Sequence, residues 1–173
     1  MGAVNLKKRS IGVGEAVRLA FGSLEREYVP SEILHENRVI HSLLGADGEE
    51  ELEYEFAGWT LRGIPDKVLD DKVVELKVQR PLSKPDELLQ QAVYQAGLYA
   101  HGLGLEKIEV WIYVYSTQEV KQHPYTLEEI NFSSFLNVLE ANLKALEGLG
   151  KFRPPALKRE DVNKLALRMV KHE

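Results

Sequence analysis

The sequence predicts an α/β fold, a central mixed sheet flanked by helices, with the core order αβββαβ. Three observations predict it. Three β-like runs follow one another between residues 51 and 79, a long helical run occupies residues 86–103, and a branched and aromatic run follows from Ile108 to Tyr115. A helix between two strands is the crossover that a mixed sheet uses to join parallel neighbours. A chain of 173 residues fits a single domain with its own core, residues 1–173. It divides into N-terminal helices over 14–44, a strand-rich core over 51–116 and C-terminal helices over 126–173.

The first helix is expected over residues 14–28, where Val17, Leu19, Ala20, Phe21 and Leu24 recur at helical spacing. Pro30-Ser31 interrupts it, and Ser31 can cap a second helix over 32–44. Gly45-Ala46-Asp47-Gly48 is a turn. Leu52, Tyr54 and Phe56 then alternate with acids, as in a half-exposed strand. Gly58 breaks that strand and Trp59 opens the next, which carries Leu61 to Leu69; the third strand covers Lys72 to Gln79. Pro81 to Pro85 form a loop. The helix over 86–103 stops at Gly102 and Gly104, the strand from Ile108 to Tyr115 follows, and a polar stretch leads to Thr126. Residues 127–149 read as helix, residues 148–155 as the most linker-like stretch, and residues 161–171 as a short terminal helix.

Composition narrows the function classes. A hydrophobic content of 44% with 28% charged residues is that of an ordinary globular protein. The chain has no cysteine, so disulfides, thiolate metal sites and cysteine nucleophiles are excluded, and a reducing cytoplasm is the expected compartment. Lys7-Lys8-Arg9 is followed by Glu15 and Arg18 within the apolar stretch, which does not read as a signal peptide. No run approaches the ~18 uninterrupted apolar residues of a membrane span. The net charge of −5 runs against nucleic-acid binding, although Lys67, Lys72, Lys77, Arg80 and Lys84 make one segment locally basic.

The chemistry concentrates on the hairpin whose turn is Asp70-Asp71. If Leu69 and Lys72 flank that turn, Asp66 stands opposite Glu75, with Cβ atoms roughly 4.5–5.5 Å apart. Like charges so placed repel by about 4 kcal/mol at an effective dielectric near 20. A divalent cation between them reverses the sign, and carboxylates suit Mg²⁺. On this reading, removing Asp66 is expected to stabilise the ion-free chain slightly. Lys77, two residues past Glu75, shares its face and can stabilise developing negative charge. The plain alternative is a solvated hairpin whose acids are splayed by twist.

On the following helix, Gln90 and Tyr94 share one face, as do Gln95 and Tyr99. Gln90 can reach a water or a phosphate and Tyr94 can stack or donate, or both can be ordinary helix residues. Gly63 marks a place where another group approaches closely. Trp59, Trp111, Tyr113 and Tyr115 read as core and sheet-face residues. Gly12-x-Gly14 lacks the rest of a nucleotide fingerprint, and no zinc-protease pattern or nucleophile elbow is present.

The order Gly63-Ile64-Pro65-Asp66, Glu75-Leu76-Lys77, then Gln90-x-x-x-Tyr94 resembles the PD-(D/E)XK nuclease superfamily. Its RecB-like branch, which includes CRISPR-associated exonucleases, is the nearest likeness. The resemblance covers roughly residues 36–116. It implies a restriction-endonuclease-like core and a metal-dependent deoxyribonuclease, with exonucleolytic action. That branch carries a histidine upstream, and Val39-Ile40-His41-Ser42-Leu43-Leu44 fits the place. The resemblance thus makes His41 a metal ligand, with His35 as the rival. It implies Mg²⁺ or Mn²⁺ held by Asp66, Glu75, the Leu76 carbonyl and His41, with Lys77, Gln90 and Tyr94 completing the catalytic set. The CRISPR-associated members hold an iron–sulfur cluster on four cysteines; this chain has none, so no cluster is expected. DNA is the expected partner, single- or double-stranded, with no membrane contact. A homo-oligomer and a repair or CRISPR-type complex both stay open. The competing reading is a non-catalytic nucleic-acid-binding or assembly module on the same fold.

Overall fold

The computed structural model describes residues 4–22 and 29–149, and they form a mixed α/β fold with two four-stranded sheets and four helices. The first sheet has the order β1-β2-β4-β3, built from β1 (Val4–Asn5), β2 (Ser10–Gly12), β3 (Leu52–Phe56) and β4 (Trp59–Gly63). β1 is antiparallel to β2, β2 runs parallel to β4 with Ile11 opposite Leu61, and β3 and β4 form a hairpin. Ala57 and Gly58 turn that hairpin with φ of 52° and 79°. Two positive φ values in succession match the twist of the strands they join.

The second sheet has the order β5-β6-β7-β8, from β5 (Lys67–Val68), β6 (Lys72–Gln79), β7 (Lys107–Val114) and β8 (Glu119–Thr126). β6 runs parallel to β7, while β5–β6 and β7–β8 are antiparallel. The helix α3 (Pro85–Leu103) makes the crossover between β6 and β7. Pro85 starts it, where a missing N–H costs nothing, and Gly104 closes it at φ 72°.

Alternation along β6 sorts its side chains between two layers. Val73 joins the main core with Leu61, Val93, Leu98, Ile108 and Val110, under α3, α1 (Val13–Ala20) and α4 (Phe132–Leu149). Leu76 points the other way and joins a smaller core with Ile40 and Ala46. Ile40 is the one buried residue of α2 (Ser31–Leu43), the helix over that second face. Glu75 alternates with Leu76 and therefore lies on the α3 side.

Several expectations change. The strands divide between two sheets rather than joining one central sheet. The strand expected from Leu61 to Leu69 breaks after Gly63 and resumes at Lys67. Pro65 has no N–H to give a ladder, and Gly48 packs on the Pro65 carbonyl while donating its own N–H to the Asp66 carbonyl at 2.8 Å. β8 replaces the polar stretch before Thr126. It is an edge strand, largely exposed and interrupted by Pro124, so it lacks the apolar signature of a strand. The short β1 and β2 carry too few residues to show a period. Ser31 sits inside α2, and Pro30 takes the cap position without a side-chain bond. α1 ends at Ala20, with Phe21 at its cap and Gly22 at φ 86°. The remainder of the expected first helix and the expected terminal helix lie outside the described residues, as does most of the linker-like stretch. Among the described residues no helix is long and apolar enough to cross a membrane.

Candidate functional site

The register of β5 on β6 pairs Lys67 with Val74 and Val68 with Val73, and Leu69 N–H donates to the Lys72 carbonyl at 2.9 Å. One step further along that register lies Asp66 opposite Glu75. Asp66 precedes the strand proper, and its Oδ2 accepts the Leu76 backbone N–H at 2.8 Å. His41 reaches the same spot from α2. Its Nε2 stands 3.1 Å from the Leu76 carbonyl oxygen and 3.5 Å from Asp66 Oδ2. Its Nδ1 stands 2.7 Å from the Asn37 carbonyl one helical turn back. An imidazole whose Nδ1–H donates to a backbone carbonyl has its Nε2 lone pair free for another partner in the neutral form.

Burial opposes the charged form of His41, but the Asp66 hydrogen bond, the Asn37 carbonyl, the Asp66 charge and the Leu76 carbonyl together raise its pKa. The protonated ring donates at both nitrogens, which suits two carbonyls and a carboxylate.

Glu75 is the strained member. It is 7% exposed, and its Oε2 has no hydrogen-bond partner among the described residues. Lys77 Nζ stands 3.9 Å from Oε1, at the limit of an ion pair. Burial, with the charge of Asp66 added, pushes the Glu75 pKa well above the carboxylate range, and Lys77 only partly opposes this. A proton kept on Glu75 lets it donate to Asp66, which two ionised carboxylates cannot do.

A second polar group faces the pair from the helices. Tyr99 is 7% exposed, and its hydroxyl fills the space a side chain at Gly63 would take. Burial, then the charges of Glu75, Asp66 and Glu15, raise its pKa against a backbone hydrogen bond at Ile64, so its hydroxyl stays protonated. Glu15 on α1 accepts from Arg18 at 2.6 Å. Gln95, one turn before Tyr99, directs Nε2 over Gly14, 3.1 Å from where a Cβ there would stand.

The structure therefore brings together His41, Asp66, Glu75, the Leu76 carbonyl and Lys77. It does not bring Tyr94 to them. Tyr94 is 1% exposed, stacks on Phe135 with ring centroids 4.4 Å apart, and donates to the Ile130 carbonyl at 3.3 Å. Gln90 is buried on the same helix and is not free of partners. Five residues turn a helix through about 1.4 turns, so Gln95 and Tyr99 look away from where Gln90 and Tyr94 look. Glu15, Arg18, Gln95 and Tyr99 are the polar residues that the sequence reading left out of the site. The i, i+4 spacing was the same for both glutamine–tyrosine pairs, and only the packing of α3 separates them. Trp111 and Tyr113 line the smaller core, and Trp59 is fully buried in the main one.

Among the described residues no group of three or more His, Asp or Glu side chains is arranged to hold a metal ion. Asp66 spends its inward oxygen on Leu76 N–H and His41, and Glu75 is buried beside it. The donor set still fits a hard divalent cation. It is all oxygen and imidazole, and it contains a buried carboxylate oxygen with no partner.

No family model matches the chain, and no curated protein matches it. Among solved structures it is similar to the crystal structure of SSO0001, at 16% identity and a TM-score of 0.42, covering 94% of this chain and 76% of that one. It is also similar to Candida albicans Rai1 in complex with pU5-Mn²⁺, at 17% identity and a TM-score of 0.27, covering 64% of this chain and 28% of that one. Both likenesses are too slight to carry a function.

Proposed function

We propose that this chain is a metal-dependent deoxyribonuclease of the PD-(D/E)XK type, RecB-like, acting on DNA ends from a restriction-endonuclease-like core. The observation that carries the reading is Glu75 itself: a buried carboxylate with an unpartnered oxygen, beside Asp66 and Lys77. An unpartnered buried oxygen of this kind costs stability, on the order of 1–3 kcal/mol. It is retained most readily where a ligand completes it.

Asp66, Glu75, the Leu76 carbonyl and His41 would hold Mg²⁺ or Mn²⁺. The cation, when bound, would polarise a phosphodiester and raise the acidity of water. The Asn37 carbonyl keeps the His41 ring turned with Nε2 toward Asp66 and Leu76. Lys77 donates to a phosphate oxygen or to the attacking water, on the face it shares with Glu75. Tyr99 excludes water from the α3 side and keeps a protonated hydroxyl over Gly63. Gln90 and Tyr94 contribute through the packing of α3 rather than by touching substrate.

A second reading is favoured by the absence, among the described residues, of a ready ion-holding group. On it the fold is a non-catalytic nucleic-acid-binding or assembly module, and the acids are a relic of charge in a cleft. Calorimetric titration with Mn²⁺, paired with a nuclease assay on single- and double-stranded DNA, separates the two. Binding with chelator-sensitive cleavage supports the nuclease. Absence of both, in a folded protein that still binds DNA, supports the module. A cytoplasmic location and self-association belong to the same proposal and are read by fractionation and light scattering.

A further inference from the structure

Arg80 directly follows β6 and has no part in the reading above. Alternate residues of a strand line one face, so Arg80 continues the side of β6 that carries Leu76 and Val78, the side that α2 covers. Its Nη2 donates to Asn37 Oδ1 at 2.8 Å and stands 3.2 Å from Glu36 Oε1. Its guanidinium lies over the Tyr115 ring, 4.4 Å from the centroid, and its backbone N–H donates to Ser83 Oγ at 3.0 Å. Tyr115 is tied to the end of β6 in turn, its N–H donating to the Gln79 carbonyl at 2.9 Å. The arginine is therefore fixed on the sheet and reaches across to the helix.

Asn37 faces both ways. Its side chain takes the Arg80 hydrogen bond, and its backbone carbonyl stands 2.7 Å from His41 Nδ1. Two polar ties thus join α2 to β6, one from His41 to the Leu76 carbonyl and one from Asn37 to Arg80. Apolar packing adds little to them: Ile40 is the one buried residue of α2, and the core beneath it has only Ile40, Ala46 and Leu76 as buried members. So small a buried area leaves the seating of the helix weakly specified, and the charge-assisted bond from Arg80 decides where the Asn37 carbonyl stands. In a neutral imidazole one nitrogen carries the proton, and the partner of the ring sets which. A carbonyl at 2.7 Å keeps the proton on Nδ1 and leaves the Nε2 lone pair facing Asp66 and Leu76. With that carbonyl displaced, the proton is better placed on Nε2, donating to the Leu76 carbonyl, and no lone pair is left on that side. We propose that Arg80 is a positioning residue for His41, acting through Asn37 to keep the imidazole in the form whose Nε2 can accept a cation. The state of the ring stands by itself; its use in holding Mn²⁺ rests on the nuclease reading.

The test starts with the metal-free full chain. Nitrogen NMR of isotope-labelled histidine rings, at a pH where the rings are neutral, shows which nitrogen carries the proton; the His41 signal is the one lost in His41→Ala. Wild type is expected to hold the proton on Nδ1. Arg80→Met removes the donor and keeps the apolar stem, and should move the proton toward Nε2. Asn37→Ala should do the same, and it is the milder variant because it leaves the guanidinium with Glu36 and Tyr115; where Arg80→Met does not fold, Asn37→Ala decides. A merely structural arginine would lower the melting temperature and leave the proton on Nδ1 in the protein still folded. A proton on Nε2 in wild type, or on Nδ1 in the folded variants, overturns the proposal. Mn²⁺ titration then reads the consequence. Each variant should bind Mn²⁺ about 10- to 100-fold more weakly than wild type, and neither should weaken it further in a His41→Ala background. An equal loss with and without His41 means that Arg80 acts by another route, and also overturns the proposal. If the proton moves as stated but wild type takes no Mn²⁺ and cuts nothing, the nuclease reading fails alone. If wild type binds Mn²⁺ and cuts DNA while the variants match it in ring state and affinity, the Arg80 proposal fails alone.

Discussion

His41 Nε2 lies 3.1 Å from the carbonyl oxygen of Leu76, a residue 35 positions away, while its other ring nitrogen is tied to the carbonyl of Asn37. The imidazole therefore bridges α2 to β6 through two backbone oxygens, with Asp66 Oδ2 3.5 Å from the same Nε2.

Asp66→Ala is expected to destabilise the ion-free protein, on the order of 1–3 kcal/mol. The sequence alone suggested a gain, because it showed only two opposed acids. The structure adds that Asp66 accepts the Leu76 N–H at 2.8 Å and faces His41, and both lose their partner in the variant. Chemical denaturation of both proteins in chelator checks the sign.

Glu75→Gln should do the reverse and stabilise the ion-free protein at neutral pH. The pKa of Glu75 is raised in the folded state, from an ordinary value of 4.5. A raised pKa contributes stability that is present below 4.5 and is lost as pH rises through the folded-state value. His41, raised from 6.5, has the same sign in a higher window. Stability of the ion-free wild type should therefore fall as pH rises above 4.5, and further as it rises above 6.5, and Glu75→Gln should flatten the lower part of that fall. An unchanged slope in the variant would mean that Glu75 is already ionised in the folded protein.

Cation binding should release protons, because a cation at Asp66 and Glu75 displaces the proton that Glu75 keeps. Mn²⁺ titrations in buffers of different ionisation enthalpy measure the number directly. A heat independent of buffer would show that the acids are ionised before the ion arrives.

Lys77→Ala should reduce cleavage by about 10²- to 10³-fold while leaving Mn²⁺ affinity near that of wild type. Lysine has no lone pair to offer an ion when protonated, so its loss separates rate from binding. Parallel losses in both would make Lys77 a structural partner of Glu75.

The two tyrosines of α3 should behave differently. Tyr94→Phe removes a 3.3 Å hydrogen bond inside the core and should cost about 0.5–1.5 kcal/mol with cleavage unchanged. Tyr99→Phe removes a buried hydroxyl that feels the charges of Glu75 and Asp66 and should change the pH profile of cleavage. Matching profiles for Tyr99→Phe and wild type would remove Tyr99 from the site.

Much of this was legible in the residues. The hairpin register followed from Asp70-Asp71 and the strand runs beside it, and β6 fell on Lys72–Gln79, whose interior is apolar on both faces apart from Glu75 and Lys77. The α3 helix was plain from its length and from Gly104, and it starts one residue earlier than expected, at Pro85. What the sequence hid were features set by packing. Val4–Asn5 and Ser10–Gly12 are too short for a period, and along Glu119–Thr126 only Tyr125 is buried, so the strand shows no apolar alternation. The choice between Gln90 with Tyr94 and Gln95 with Tyr99 depended on how α3 is rotated. That rotation is set by Phe21, Phe132 and Phe135, which lie far away in sequence.

The pairing of β5 with β6 across a two-residue turn has a kinetic side. A hairpin closes in about 1–10 μs, whereas parallel pairs wait for long loops to close. The parallel pairs here join Ile11 to Leu61 and Val74 to Glu109. Asp66 and Glu75 are therefore expected to meet early, while water still surrounds them and their repulsion is small. The repulsion grows only when α3 comes down over Glu75 at a late stage. High pH should then act mainly by hastening unfolding, leaving the first steps of refolding unslowed, so the acid pair sets how long the folded chain lasts more than how fast it forms.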